Sequence, residues 1–157
     1  VLGLLLLIVA ANGAPVLVHA MLGARWAVPV DCGLRLADGR RLLGDAKTWR
    51  GLAVALAAST TLAPLLGLSP LVGLAAGALA MAGDLLASFV KRRLGRPRSS
   101  RALLLDTVPE SLCPAVGLMQ PLHLGGAEIL GLVILFSLLD AWLSPLLYRL
   151  RIRRRPW

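Results

Sequence analysis

The chain has 157 residues, 57% of them hydrophobic, with a mean hydropathy of +0.77, an apolar share well above that of water-soluble domains. These values exclude an ordinary soluble domain and point to an all-α integral membrane protein with a single domain over residues 1–157. A net charge of +9 on so apolar a chain implies cationic loops at a membrane surface, not a nucleic-acid partner.

The first apolar stretch covers residues 1–24, against roughly 20 residues needed to cross a bilayer. No basic segment precedes it, so a cleaved leader is not expected. Asn12-Gly13-Ala14-Pro15 interrupts its aliphatic run. Pro15 has no N–H for the Ala11 carbonyl, which predicts a kink or opening, with Asn12 either lining a cleft or joining helices. His19 here, and His123 later, have no companion ligands at metal spacing.

Residues 25–51 form the first polar loop, with acids at Asp31, Asp38 and Asp45. Its Asp38-Gly39 dipeptide marks a turn, and GDAKTWRG (44–51) brings together Gly, Lys, Thr and Arg, donors that hold phosphate oxygens. Neither G-x-x-x-x-G-K-[ST] nor G-x-G-x-x-G occurs, and an ordered, charge-compensated surface segment is the alternative reading of the loop. Cys32 and Cys113 match no metal or disulfide pattern and are assigned structural roles.

Further spans are expected at 52–68, 71–90, 107–124 and 127–148. The third contains GLAAGALAMAG (73–83), small residues that permit close helix approach. It ends in GDLLASFVKRRLG (83–95), where Asp84, Ser88 and Lys91 share one helical face with Arg92 close by. An aspartate at bilayer depth is costly, so Asp84 is either ion-paired within the helices or part of a site. The loop over 91–106 closes with Asp106. Thr107-Val-Pro-Glu110 fits a capping box, with Thr107 as N-cap and Glu110 at N3. Asp84 and Asp106, flanking a cationic loop, could instead supply the carboxylates that Mg²⁺ takes alongside substrate phosphates. Glu128 and Asp140 lack basic neighbours, and Asp140 is an unexplained charge within the fifth span.

All 17 basic residues fall in the two loops, including Arg96, Arg98 and Arg101, and in the tail at Arg149, Arg151, Arg153, Arg154 and Arg155. If cations stay in the cytoplasm, two crossings separate successive clusters. The result is five transmembrane helices, an outside N-terminus and a cytoplasmic C-terminus. A non-enzymatic protein binding anionic lipid or a partner through these loops is the alternative from another class. A transporter using Asp84 and Asp140 is a third, disfavoured by the lack of internal repeats.

The motifs NGAP (12–15), PVDCG (29–33), DGRRLLGDAKTWRG (38–51), GDLLASFVKRRLG (83–95) and LLLD (103–106) resemble, in this order and over nearly the whole chain, the CDP-archaeol synthases, distant relatives of the CDP-diacylglycerol synthases. The resemblance implies a multi-pass cell-membrane cytidylyltransferase that transfers CMP from CTP to a lipid phosphate, requires Mg²⁺ and works at the cytoplasmic face. It makes Asp84 and Asp106 metal carboxylates and, with Lys91, the catalytic set. It assigns Ser88, Lys91, Arg92 and Arg93 to phosphate, Asp45, Lys47 and Thr48 to the nucleotide, and Asn12 to the pocket. The family's second aspartate, three residues after the first in a D-Q-x-D run, is replaced by Pro109, with the acid at Glu110. Either Glu110 takes over as a metal ligand or the second carboxylate is missing, and PESLCP suggests a divergent, bacterial-type branch. The acceptor, isoprenoid-ether or diacyl, and the oligomeric state, with a homodimer among the options, stay open.

Overall fold

A computed structural model describes residues 1–95 and 103–149; Arg96, Arg98, Arg101 and the tail arginines Arg151, Arg153, Arg154 and Arg155 lie outside the described residues. Five α-helices follow one another: α1 (Leu2–Leu22), α2 (Trp49–Leu65), α3 (Pro70–Arg93), α4 (Leu103–Gly117) and α5 (Gly126–Arg149). Among the described residues α1, α3 and α5 are long and apolar enough to cross a membrane. With 17 and 15 residues, α2 and α4 are shorter than the roughly 20 residues of an average crossing.

The third helix is the centre of the bundle, with α2 on one side and α4 on the other, α1 against α2 and α3, and α5 outside α4. Its glycines explain why. A Cβ at Gly73 would run into the Ser59 carbonyl and Ala63, and one at Gly77 into the Ser59 hydroxyl, so the small-residue stripe lets α2 press onto α3. A Cβ at Gly83 would strike the Pro109 carbonyl and the Glu110 nitrogen, which fixes α4 against α3 beside Asp84. The apolar core gathers Leu4, Leu7, Ile8 and Ala11 of α1 at helical spacing with Ala76 and Ala80 of α3, Leu132 and Phe136.

Several expected boundaries shift for identifiable reasons. The start of α2 moves back to Trp49, because the Thr48 hydroxyl caps it by accepting from Gly51 N–H at 3.1 Å. Three charged residues are added to α3 beyond the apolar run, which puts Asp84 nine residues, or about 14 Å, from its end. The capping box is corrected: α4 already begins at Leu103, Thr107 is interior and buried, and its hydroxyl meets Ser137 Oγ at 2.8 Å. Asp106 does lie in the first turn, where negative charge suits the helix N-terminus. Across Pro15, α1 is continuous; Asn12 Nδ2 donates to the Ile8 carbonyl of its own helix at 3.1 Å.

Candidate functional site

Between α1 and α2 the chain does not wander. Leu34 and Leu42, and Leu36 and Arg40, pair as a small hairpin around Gly39, whose φ of 74° suits glycine in the turn. Beneath it lies Asp31, a buried acid. Its carboxylate accepts from Arg41 at 2.5 Å and from the N–H groups of Gly33, Leu43 and Gly44 at 3.1, 3.1 and 2.9 Å. Burial by itself pushes the Asp31 carboxyl up; Arg41 and the three backbone N–H groups outweigh it and hold the acid well below the usual carboxylate range. In the sequence Asp31 is one of three loop acids and part of PVDCG, with no role to distinguish it; in the structure it organises the loop.

The loop is tied to the end of α3. Arg40 donates to the Arg93 carbonyl at 2.8 Å, one of the acceptors a helix C-terminus leaves open. Arg93 reaches back to Asp38 at 2.6 Å and the Arg41 carbonyl at 2.8 Å, and its guanidinium lies 5.4 Å from the Phe89 ring centroid. At the other end of the loop Arg50 donates to the Gly23 carbonyl at 3.0 Å and contacts His19, closing the C-terminus of α1.

Between loop and helix lies a cleft of about 460 Å³. Its walls include Arg35, Arg40, Arg41, Asp45 and Lys47 from the loop and Ser88, Lys91 and Arg92 from α3. Five arginines and lysines besides Lys47 against one acid make it an anion site by charge alone. Two ion pairs lie at its edge. Lys47 holds both carboxylate oxygens of Asp84, and Lys91 holds Asp106 at 2.5 Å. Glu110 enters from the neighbouring helix, whose backbone packs on Gly83, close enough to Asp84 for the two acids to interact. Burial alone would lower the Lys47 ammonium, but Asp84 first, then Glu110 and Asp106, hold it above the ordinary lysine range and charged.

The residues expected to act together therefore divide. Asp45, Lys47, Ser88, Lys91 and Arg92 line the cleft; Asp84 and Asp106 are joined to it through Lys47 and Lys91. Asn12 is bonded within its own helix, Thr48 is a helix cap, and Arg93 is a latch between hairpin and helix; none of the three lines the cleft. Asp45 is also paired with Arg41. Among the described residues no three His, Cys, Asp or Glu side chains converge as a metal-binding group, so Asp84, Asp106 and Glu110 are not one ligand set here. The Asp84–Glu110 contact nonetheless fits a hard cation. Two neighbouring carboxyl groups repel one another unless a proton or a cation compensates them, and two carboxylates completed by phosphate oxygens are a common Mg²⁺ donor set. Asp140 accepts from Ser144 at 3.3 Å, and Glu128 accepts from Gly125 N–H at 2.7 Å at the start of α5.

The helical bundle is matched by a solved structure, that of an intramembrane enzyme for archaeal membrane lipid biosynthesis, with a TM-score of 0.71, 35% identity and 88% of each chain covered. Fold and cleft together define a membrane-embedded enzyme. The family model for CarS-like CDP-archaeol synthases matches residues 2–79 and 59–157. A CDP-archaeol synthase of Sulfurisphaera tokodaii is 38% identical over 135 residues, covering 82% of this chain and 81% of that protein. One of Pyrobaculum calidifontis is 38% identical over 154 residues, covering 94% and 90%. The chain belongs to the CDP-archaeol synthase family.

Proposed function

We propose that the protein transfers CMP from CTP to the phosphate of a membrane lipid of the archaetidic-acid type, giving a CDP-lipid and pyrophosphate. The observation that carries the reading is the pair of lysine–aspartate contacts, Lys47–Asp84 and Lys91–Asp106, at the edge of a cationic cleft. Relatives named CDP-archaeol synthase, 32–38% identical over most of the chain, support the substrate class. In the reaction a lipid phosphate oxygen forms a bond to the α-phosphorus of CTP while the α–β bridging P–O bond breaks and pyrophosphate leaves. Both reactants are anions, so the main task is to screen and align them. Lys91 and Arg92 supply fixed positive charge on one wall, Arg35, Arg40 and Lys47 on the other, and the Ser88 hydroxyl a donor between them. Asp84 with Glu110, or Asp106, would hold Mg²⁺, which lowers the repulsion between the phosphates when bound.

The cleft faces the cytoplasm in this reading, with five crossings of the cell membrane, the N-terminus outside and the C-terminus inside. The confinement of all 17 basic residues to two loops and the tail supports it. The lipid then arrives laterally through the bilayer and the nucleotide from water. Purified protein incubated with CTP, Mg²⁺ and a panel of isoprenoid-ether and diacyl lipid phosphates tests the reading by mass spectrometry of the lipids and by pyrophosphate release. A CDP-lipid is expected, and Asp84→Asn and Lys91→Ala lower its rate by about a hundredfold or more. Absence of a CDP-lipid from every acceptor refutes it.

A further inference from the structure

Lys47 belongs to the loop and Asp84 to α3, while Glu110 approaches Asp84 from α4 where Gly83 lets the two helices touch. A carboxyl pair contributed by two helices is thus met by one cation from a third element, seated on Asp84. The Lys47 ammonium takes both oxygens of Asp84, so it holds the positions that a metal ion on that carboxylate would need. An ammonium and a divalent ion are alternatives at such a pair, because each supplies the compensating charge and they exclude one another. Lys47 also lines the cleft, and its flexible four-carbon stem allows the head group to turn to phosphate without the backbone leaving its place.

We infer that Lys47 is the resident counter-ion of the Asp84–Glu110 pair, and that nucleotide phosphates draw it into the cleft, coupling divalent-metal occupancy of these acids to nucleotide binding. This rests on the reading of the cleft as a CTP site and adds an order to it: anion first, metal on the vacated acids second. The device keeps the nucleotide-free protein from holding metal tightly. Removal of the Lys47 charge therefore changes two affinities in opposite directions, raising that for metal and lowering that for nucleotide. A merely structural loss lowers both.

The test uses the full chain in lipid nanodiscs, free of nucleotide, titrated with Mn²⁺ while the free ion is followed by its electron paramagnetic resonance signal. Lys47→Met is expected to bind Mn²⁺ about tenfold or more tightly than the wild type, since a unit charge within ion-pair distance of the site is removed. Adding Asp84→Asn to that variant returns binding to the wild-type level or below. Lys47→Gln, which keeps a polar side chain, serves in the same way if the methionine variant is unstable. Calorimetry with CTP and no metal is expected to show weaker binding in either variant. Mn²⁺ binding no tighter in both Lys47 variants than in the wild type overturns the counter-ion role. A wild type that binds no CTP refutes the nucleotide reading itself, and the coupling with it.

Discussion

Replacing Asp31 by asparagine tests the structure at the point where one side chain does most to order the loop. In the wild type one carboxylate oxygen accepts from Arg41 and Gly33, the other from Leu43 and Gly44. An asparagine offers one acceptor oxygen, and its NH₂ must face two donors in either orientation. With the oxygen kept toward Arg41, the charged donor, the Leu43 and Gly44 N–H groups lose their acceptor and Arg41 loses the negative charge of its buried partner. Hydrogen bonds to a charged group contribute about 1.5–3 kcal/mol each, and breaking a buried ion pair costs about 3–5 kcal/mol, so about 3 kcal/mol of local stability is a conservative loss. At 1.4 kcal/mol per factor of ten this is roughly a hundredfold faster amide exchange at Leu43 and Gly44. The helices are held by other contacts, so far-ultraviolet circular dichroism stays unchanged while the KM for CTP rises. The pH dependence has a definite sign. The folded Asp31 carboxyl titrates below its unfolded value, so its contribution is fully present above about pH 4 and is lost as pH falls through the lower folded value. Protection at Leu43 and Gly44 in the wild type therefore weakens only in strong acid, whereas the asparagine variant shows no such acid step. Exchange in the variant within twofold of wild type would refute the role given to Asp31.

Three further substitutions separate structural from functional roles. Thr48→Ala removes the cap on α2 and is expected to cost about 1 kcal/mol in thermal unfolding while leaving CTP affinity within twofold; a large loss of affinity would restore Thr48 to the nucleotide site. Gly83→Ala drives a methyl into the Pro109–Glu110 backbone and should destabilise the protein by about 1–3 kcal/mol, with a lower melting temperature and a larger fall in kcat than in KM as Glu110 moves from Asp84. Arg93→Ala removes the side-chain half of the tie between hairpin and α3, leaving Arg40 on the backbone carbonyl; limited trypsin digestion of the variant should cut after Arg40 or Arg41 sooner than in the wild type, and an unchanged digestion pattern would exclude the latch role of the Arg93 side chain.

Hydropathy found every helix but misplaced several ends, because it reports where a chain tolerates lipid and not where the backbone stays hydrogen-bonded. Lys91, Arg92 and Arg93 end the apolar run yet continue α3, and Leu103–Leu105 precede the charged residue that was taken as the border of α4. The capping box at Thr107 failed for the same reason: its pattern is real, but the helix had already started and the hydroxyl turned to α5 instead. Family motifs singled out Lys47, Asp84, Lys91 and Asp106, all four of which meet at the cleft or its edge. Their pairing was not legible. Lys47 and Asp84 are 37 residues apart, and their contact depends on how the loop folds back beside α3. Asp31 went unassigned because an acid among Gly and Pro reads as a turn residue; its burial exists only once Arg41, Leu43 and Gly44 close over it.

The loop and the acids are consequently one assembly. Asp31 closes its base, Arg40 and Arg93 fasten its hairpin to the end of α3, and Lys47 anchors its last residues to Asp84. Each of these ties joins the loop to itself or to α3, and none is made to α4. The Lys91–Asp106 bridge, by contrast, spans α3 and α4 directly. Loosening the hairpin should thus weaken nucleotide binding through Lys47 and Arg40 while leaving the Lys91–Asp106 pair in place. Loosening the α3–α4 contact at Gly83 should do the reverse, disturbing the acids with the cationic wall intact. The two kinds of variant then fall on opposite sides of a KM-against-kcat comparison, as expected if one wall of the cleft holds the nucleotide and the other sets the position of the reacting phosphate.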